Sequence, residues 1–521
     1  MTRDLLIGID AGTSVIKSVV FTLDGEQVAM AARPNSYATP GPGQVEQDMT
    51  RTWADCAATL RELHDVIPNL AARAAAVAVT GQGDGTWLVD REGEPVGGGL
   101  LWLDSRAAGL IGPYLRSRDY HGHYELTGSG LNACMASAQI AWMKIHQPER
   151  LARATTTLHC KDWLYFKLTG ERVTDPSEAS FTFGNFRTRR YEPSILEKMG
   201  IADYERLLPP IIDGTRVSHG LSAAAASVTG LPEGLPIVLA YLDVVCTGLG
   251  GGVFDRSGKV GLTIVGTTGM HMRYVATPEE VTLNDSHSGY TMCFPIEGSS
   301  LAIQSNMAST LNIDWFLDVA REAAAAAGVE ATRAALLSGM DKRVMDAPPG
   351  SALYHPYIFE AGERGPFLDP HARAQFTGLS TRTTFAGMMR AVYEGLAFAA
   401  RDCYAATGMI PEEVRLGGGA ARSKALRKIL ASTLGAQVRT VNREESGAAG
   451  AAMMAAVRLG LHADIPACVD AWVTPALGEV TDPDPALNRL YGELFPAYVA
   501  IREAMPPAWE TLARIRQETK A

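Results

Sequence analysis

The sequence predicts an α/β protein built from two domains with a cleft between them. Its 521 residues are too many for one core, since single cores seldom grow beyond about 250 to 300 residues. Two stretches, 5–21 and 261–274, share one design: an apolar run, a turn of glycine and hydroxyl residues, and a second apolar run. This design is typical of a β-hairpin, and its recurrence predicts two related halves. Because the segment 254–259 is polar and turn-like, we expect domains at 1–254 and 255–521.

The turn of the first hairpin has the residues of a phosphate site. Gly12 lets the backbone approach an anion closely, and Thr13 and Ser14 add hydroxyl and amide donors to the concave turn. Asp10 ends the first strand and is the kind of oxygen ligand that Mg²⁺ takes beside phosphates. Lys17 follows on the second strand, where we expect it to face the same anion. From these residues alone, a surface hairpin with a solvated lysine is an equal alternative.

The second hairpin decides between these alternatives. Its turn, formed by Gly266, Thr267, Thr268 and Gly269, again places hydroxyl residues between two apolar strands. Two such turns in two related halves are suited to clamp one polyphosphate between them.

A glycine cluster in the second half predicts the site for the rest of a nucleotide. Gly417, Gly418 and Gly419 follow the predicted strand 413–416 and lead through Ala420 into a helix. Three glycines at a strand-to-helix turn leave room for a flat ring or a ribose against bare backbone. We expect Ser423 to cap that helix and its N-terminus to point at the nucleotide.

Composition excludes several other classes of function. The chain has 47 basic and 57 acidic residues, and its net charge of −10 disfavours nucleic acid or an anionic membrane as a partner. Acidic residues in the first apolar stretch argue against a signal peptide, and no apolar run is long enough to span a bilayer. The seven cysteines are scattered and predict reduced thiols, with no disulfide framework or zinc site. We therefore expect a cytoplasmic enzyme, with a homodimer as an open alternative to a monomer.

Hydrophobic periodicity predicts the remaining elements. We expect strands at 27–33, 74–80 and 437–441, and helices at 53–63, 138–146, 161–168, 321–337, 385–407 and from 483 onward. The segment 445–452 begins a helix so rich in glycine and alanine that another element must pack very close to it. The segment 175–180 is typical of a turn, which we place under the substrate site.

The loop after strand 74–80 is a candidate substrate wall, because ligands of open α/β sheets bind at the carboxyl ends of strands. It contains Gln82, Gly83 and Asp84, and a carboxylate on a short stem can bind two neighbouring hydroxyls. A turn aspartate chosen for local geometry is the alternative. Trp102 is suited to pack on the carbon chain of a substrate, although such an aromatic is more often part of a core.

Asp243 stands where an apolar strand meets a helix rich in small residues. A carboxylate in that position can orient an attacking hydroxyl and accept its proton during phosphoryl transfer. It can also be a helix cap, and the residues by themselves favour the cap.

Motifs along nearly the whole chain resemble the actin, Hsp70 and sugar-kinase superfamily, and within it the FGGY family of carbohydrate kinases. The resemblance rests on Asp-x-Gly-Thr-Ser at 10–14, Gly-Thr-Thr-Gly at 266–269 and Gly-Gly-Gly-Ala-x-Arg-Ser at 417–423. Further matching segments are 101–106, 161–164, 168–171, 363–366, 369–373 and 390–398.

This resemblance implies two ribonuclease-H-like domains of the actin-like ATPase type, with ATP and Mg²⁺ bound in the interdomain cleft. It implies that Asp243 is the catalytic base, and that Asp10 and Asp243 hold the metal. The implied substrate residues are Gln82, Gly83, Asp84, Trp102, Asp104, Arg106 and Asp243.

The resemblance also implies a small polyol or sugar as substrate. At the loop position of Gly83 and Asp84, xylulose kinases carry Met-His and glycerol kinases Arg-Glu. The loop and the run 183–191 are most similar to members of the family that phosphorylate erythritol, so we expect erythritol, with D- or L-xylulose and then glycerol as alternatives. An alternative of another class is a non-catalytic sugar sensor or an ATP-driven chaperone, but the chain shows no helix-turn-helix or separate peptide-binding domain.

Overall fold

A computed structural model of the protein describes residues 3–519. The strands of the first half are β1 Leu5–Ala11, β2 Val15–Thr22, β3 Gln27–Pro34, β4 Tyr37–Ala38, β5 Glu46–Gln47, β6 Ala74–Gly81, β7 Trp87–Val89, β8 Gly99–Leu100, β9 Thr156–Leu158, β10 Gly184–Asn185, β11 Arg190–Tyr191, β12 His219–Gly220 and β13 Pro236–Leu239. Its helices are α1 Met49–Val66, α2 Leu70–Arg73, α3 Ala108–Leu115, α4 Asp119–Thr127, α5 Ala136–His146, α6 Pro148–Arg153, α7 Cys160–Thr169, α8 Pro176–Phe183, α9 Pro193–Lys198, α10 Ala223–Thr229 and α11 Asp243–Gly251.

The second half repeats the mixture of strands and helices. Its strands are β14 Val260–Val265, β15 Gly269–Val275, β16 Tyr290–Cys293, β17 Ser300–Asn306, β18 Leu353–His355, β19 Gln375–Thr377, β20 Glu413–Gly417, β21 Gln437–Val441 and β22 Leu477–Thr481. Its helices are α12 Thr310–Ala326, α13 Arg333–Leu337, α14 Met340–Asp346, α15 Phe385–Ala406, α16 Lys424–Leu434, α17 Ser446–Arg458, α18 Ile465–Trp472, α19 Pro485–Ala504 and α20 Pro506–Glu518.

The two large sheets have the same core topology. Their strand orders are β12-β13-β6-β1-β2-β3 and β16-β17-β15-β14-β20-β21-β22. In each, the first three core strands run antiparallel and two later strands join in parallel, β6 and β13 in the first sheet and β20 and β21 in the second. The predicted fold of two ribonuclease-H-like α/β halves is confirmed. The domain boundary at 254/255 lies between α11 and β14 and stays a prediction.

Two helices lie between the sheets and tie the halves together. Helix α17 comes from the second half of the chain but packs on β1 and β6 of the first, and α11 lies against α17. Residues of α11, α17 and both sheets form one continuous buried cluster. The small residues of α17 allow this approach, so the expected close packing of segment 445–452 is confirmed.

Glycine 450 shows how close this packing is, and it gives a stability prediction. A methyl group on Gly450 would overlap the carbonyl oxygen of Cys246 in α11. We expect Gly450→Ala to lower the free energy of unfolding by about 3 kcal/mol, because backbone cannot yield as a side chain can. The measurement is urea unfolding, with Gly492→Ala of α19 as control, since a methyl group there meets nothing within 4 Å. Equal stability of the two variants would contradict this packing.

The structure corrects two sequence expectations. Segment 175–180 is not a turn, because Asp175 caps α8 with its side chain and Pro176 occupies the first helical position. The helix expected over 321–337 is two helices, α12 and α13, separated by Gly328 with a φ of +75°. The helices expected at 53–63, 138–146, 161–168 and 385–407 are confirmed as α1, α5, α7 and α15.

Candidate active site

A cavity of about 440 Å³ opens between the two sheets and is lined by residues of both halves. It brings together seven of the residues singled out in the sequence: Thr13, Gln82, Gly83, Asp84, Trp102, Asp243 and Thr268. The turns of the two hairpins therefore face one crevice. Residues 10–14 and 266–269 need that arrangement if they are to hold a single ligand.

The first hairpin is joined to the substrate loop by a chain of hydrogen bonds. The indole N–H of Trp102 donates to Thr13 Oγ1 over 2.7 Å, and the Thr13 hydroxyl donates to Gln82 Oε1 over 2.8 Å. The Gln82 amide donates in turn to Gln47 Oε1 over 2.7 Å. Gln47, in the short strand β5, was not a sequence candidate, because it follows a segment rich in proline and glycine and has no motif of its own. The network makes the expected phosphate turn and substrate wall one rigid unit.

Asp10 lies at the end of β1 against the start of α17, and a methyl group on Gly447 would overlap its carboxylate. Burial raises the pKa of Asp10 to about 6, and the nearby Lys17 opposes that rise. Lys17 itself donates to Glu445 Oε2 over 2.8 Å across the two halves. It is therefore not free to face an anion unless this ion pair opens. Ser14 lies exposed in the same turn.

Asp243 is the first residue of α11 and lines the cavity. Burial raises its pKa to about 8, and the negative charge of Asp10 adds to the rise. The backbone before it is fixed, since Leu242 N donates to Ser177 Oγ over 3.0 Å and Thr80 Oγ1 donates to the Tyr241 carbonyl over 2.7 Å. Asp243 is therefore a carboxyl group that binds protons readily and that follows a fixed stretch of backbone.

Asp84 lines the same cavity and has one carboxylate oxygen without a hydrogen-bond partner among the described residues. Its backbone has a φ of +59°, a region that aspartate and asparagine tolerate better than most residues. Its N–H donates to Glu178 Oε1 over 3.0 Å, and its Oδ2 lies 3.6 Å from the Cys134 thiol. Its Oδ1 is buried and accepts no hydrogen bond among the described residues. Burial raises the pKa of Asp84 to about 6.

A fully buried cluster of charged groups supports both of these acids from below. Lys161 Nζ lies 2.6 Å from Asp162 Oδ1, 2.5 Å from Asp175 Oδ2 and 3.8 Å from Glu178 Oε2. Glu178 accepts the Asp84 N–H, and Asp175 accepts from the Ser177 hydroxyl that holds Leu242. Burial raises the pKa of Glu178 well above its usual range. The helix that replaces the expected turn therefore does lie under the site.

His159 is buried and belongs to the same cluster. Its Nδ1 lies 3.1 Å from Asp162 Oδ2 and its Nε2 3.5 Å from Glu178 Oε1. Burial lowers its pKa, so the ring is neutral near pH 7.

Asp104 and Arg106 do not line the cavity. Arg106 Nη2 lies 2.8 Å from both Asp104 Oδ2 and Glu46 Oε1, and Asp104 Oδ2 also accepts from Val45 N over 2.7 Å. Both side chains are buried in this ion cluster. The structure thus uses the two residues to hold the loop that carries Trp102.

The glycine cluster forms the expected strand-to-helix turn. Gly418 has a φ of +89° and packs on the Val265 carbonyl beside the second hairpin, while the space next to Gly419 is open. Ser423 caps α16 by accepting from Leu426 N over 3.1 Å, and its hydroxyl donates to Asp341 Oδ1 over 2.6 Å. The first amides of α16 also donate to Asp341, so this N-terminus is not free for a nucleotide, contrary to expectation.

Comparison with known proteins identifies the family. The model of the FGGY family of carbohydrate kinases, N-terminal domain, matches residues 5–250, and that of the C-terminal domain matches residues 261–459. Together these matches cover most of the chain. The chain belongs to the FGGY family of carbohydrate kinases.

Individual relatives within the FGGY family agree with this assignment. The chain is 49% identical over 516 residues to the erythritol kinase of Brucella abortus, covering 98% of each chain. It is 24% identical to the L-xylulose/3-keto-L-gulonate kinase of Escherichia coli, covering 88% of each. Among solved structures, xylulose kinase from Rhodospirillum rubrum matches with a TM-score of 0.86 at 26% identity, covering 97% of this chain and all of that one.

This FGGY kinase also lines its cavity with residues that sequence reasoning did not select, among them Cys134, Tyr290, Asn306 and Arg364. Arg364 stood in the matching segment 363–366, but nothing in that segment says that it reaches the site of the other half. None of the helices within residues 3–519 is long and apolar enough to cross a membrane.

Proposed function

We propose that the protein transfers the γ-phosphoryl group of ATP to a hydroxyl group of erythritol. The observation that carries the proposal is the 49% identity, over 98% of both chains, to an erythritol kinase. The cavity supports it, because Asp84, Trp102 and Asp243 face the space between the two hairpin turns. The cytoplasm, where ATP is made and used, is the compartment that we propose for this reaction.

In this proposal the two hairpin turns hold the phosphates. Thr13 and Thr268 line the cavity from opposite halves, and backbone amides of a tight turn bind anions well. The adenosine lies against Gly417, Gly418, Gly419 and Ala420, where the open space beside Gly419 admits it. Lys17 contributes only if nucleotide binding separates it from Glu445.

The carboxylates of Asp10 and Asp243 fit a magnesium ion. Both carboxyl groups are buried, and the charge of Asp10 raises the pKa of Asp243 further, so the two groups lie close enough to interact. The described residues offer no cluster of three or more metal-binding side chains, but Mg²⁺ needs only one or two carboxylates when phosphates and waters supply its other ligands. Bound there, Mg²⁺ would neutralise charge on the phosphates.

Asp243 acts as the base of the transfer. Its carboxylate orients the substrate hydroxyl and accepts the proton while the oxygen forms a bond to the γ-phosphorus, and the bond from that phosphorus to ADP breaks. Asp84 binds two neighbouring hydroxyls and Trp102 packs on the carbon chain. Closure of the halves excludes water, which would otherwise accept the phosphoryl group.

A coupled assay of ADP release tests this function over erythritol, D-xylulose, L-xylulose and glycerol. We expect the highest kcat/KM with erythritol, because a compact aspartate replaces the larger loop residues of the pentulose and glycerol kinases. Turnover of a xylulose with none of erythritol would overturn the substrate, and no turnover of any polyol or sugar would favour a sensor.

A further inference from the structure

Two side chains of opposite charge reach the substrate cavity from opposite halves of the chain. Asp84 comes from the loop after β6, and Arg364 comes from the segment between β18 and β19. Both side chains line this cavity together with Cys134, whose thiol lies 3.6 Å from Asp84 Oδ2, and the positive charge of Arg364 opposes the rise in the pKa of Asp84. No direct ion pair joins them, and Asp84 Oδ1 is buried without a hydrogen-bond partner among residues 3–519.

Hydrogen bonds to buried carboxyl groups fix the backbone at both positions. Asp84 N donates to the buried Glu178. On the other side, the buried Glu363 accepts from Arg364 N and from Met307 N, both over 2.9 Å. Because each backbone is fixed by a buried carboxyl group, the two side chains start from fixed points on opposite walls of the cavity.

We propose that Asp84 and Arg364 together select an uncharged polyol and reject the corresponding sugar acid, an inference that rests on the proposed function. The space between them accommodates a hydroxyl group, which donates to the carboxylate and accepts from the guanidinium. A carboxylate in the same space is attracted by Arg364 but repelled by Asp84, and a like charge so close is strongly unfavourable. Without Asp84, the arginine becomes an unopposed receptor for an anion.

Erythritol and erythronate, its four-carbon aldonic acid, form a matched pair of ligands for this inference. They differ at one end, where a hydroxymethyl group is replaced by a carboxylate. The other terminal hydroxyl is unchanged, so Asp243 can act on it in both compounds.

Asp84→Asn is the decisive variant. Asparagine tolerates the positive φ of this position and keeps the N–H that donates to Glu178, so the loop is preserved. We expect the ratio of kcat/KM for erythronate to that for erythritol to rise by about 100-fold. Calorimetry without ATP gives a second readout, in which Asp84→Asn binds erythronate at least about tenfold more tightly than the native protein does.

The double variant Asp84→Asn/Arg364→Met is the matched control. It lacks both charges, so its preference for erythronate should return to the native value. The single variant Arg364→Met leaves Asp84 unopposed and should favour the cationic analogue 1-amino-1-deoxyerythritol over erythritol by about tenfold relative to the native protein. This last arm does not depend on the folding of Asp84→Asn.

Two results would overturn the inference: equal selectivity of Asp84→Asn and the native protein, or an equal gain in erythronate binding with and without Arg364. Failure of the proposed function has a different signature, namely that the native protein phosphorylates another neutral sugar and not erythritol. In that case the same variants are compared on that sugar and on the acid in which its far hydroxymethyl group is replaced by a carboxylate, and the expected change in selectivity is the same.

Discussion

Asp243→Asn is expected to lower kcat for phosphoryl transfer by about 10²- to 10⁴-fold, the range that a general base contributes. Asparagine has nearly the same shape and keeps an oxygen for the Val244 N–H, which donates to Asp243 Oδ1 over 2.7 Å. It cannot accept a proton. The variant should therefore fold and bind ADP like the native protein while losing transfer to erythritol, as measured by ADP release and by calorimetry.

Asp24→Asn is the control for this experiment. Asp24 is exposed in the turn between β2 and β3, so replacing its carboxylate with an amide should leave phosphoryl transfer unchanged. If Asp243→Asn retained native turnover, Asp243 would not be the base. If the Asp243→Asn substitution changed neither ADP release nor the binding of the sugar, a sugar sensor would be the better interpretation.

Lys161→Met is expected to cause the largest loss of stability, about 3 to 5 kcal/mol in the free energy of unfolding. The lysine is fully buried and neutralises Asp162 and Asp175, and methionine fills its volume without its charge. Two carboxylates would then remain buried without a cation, and the free-energy cost of that is much larger than the net stabilisation that the intact ion pairs provide. Urea unfolding measures the effect, and activity should fall with it because Asp175 and Glu178 support Asp243 and Asp84.

Lys342→Met of α14 is the control, since its ion pair with Asp346 is exposed to solvent and such pairs contribute little. We expect this variant to unfold at nearly the native urea concentration. If Lys161→Met unfolded at the same urea concentration as Lys342→Met, the buried charged cluster would not be what stabilises the site.

The fold was predictable because its signals are local and repeated. An apolar run, a turn of glycine and threonine and a second apolar run occur in both halves, and each became the first hairpin of a sheet. The start of α8 was missed although its signal was present. Asp175 followed by Pro176 is a typical N-cap with proline at the first helical position, and the segment was wrongly interpreted as a turn.

The site was only partly predictable, because its geometry depends on contacts between distant residues. Asp243 required the family resemblance, since a helix cap explains the same residue locally. Arg364 lies far along the chain from Asp84, and only the folded halves bring them to one cavity. Asp104 and Arg106 were expected at the substrate but neutralise each other in a buried ion cluster, which spacing alone does not reveal.

A crystal structure with erythritol and a non-hydrolysable ATP analogue would show whether the nucleotide, the polyol and Asp243 meet in the cavity between the two halves. We expect the triphosphate between the turns at 10–14 and 266–269, one terminal hydroxyl of erythritol within about 3 Å of the Asp243 carboxylate, and the opposite terminal hydroxyl between Asp84 and Arg364. A polyol bound outside this cavity, or Asp243 turned away from the hydroxyl beside the γ-phosphate, would contradict this expectation.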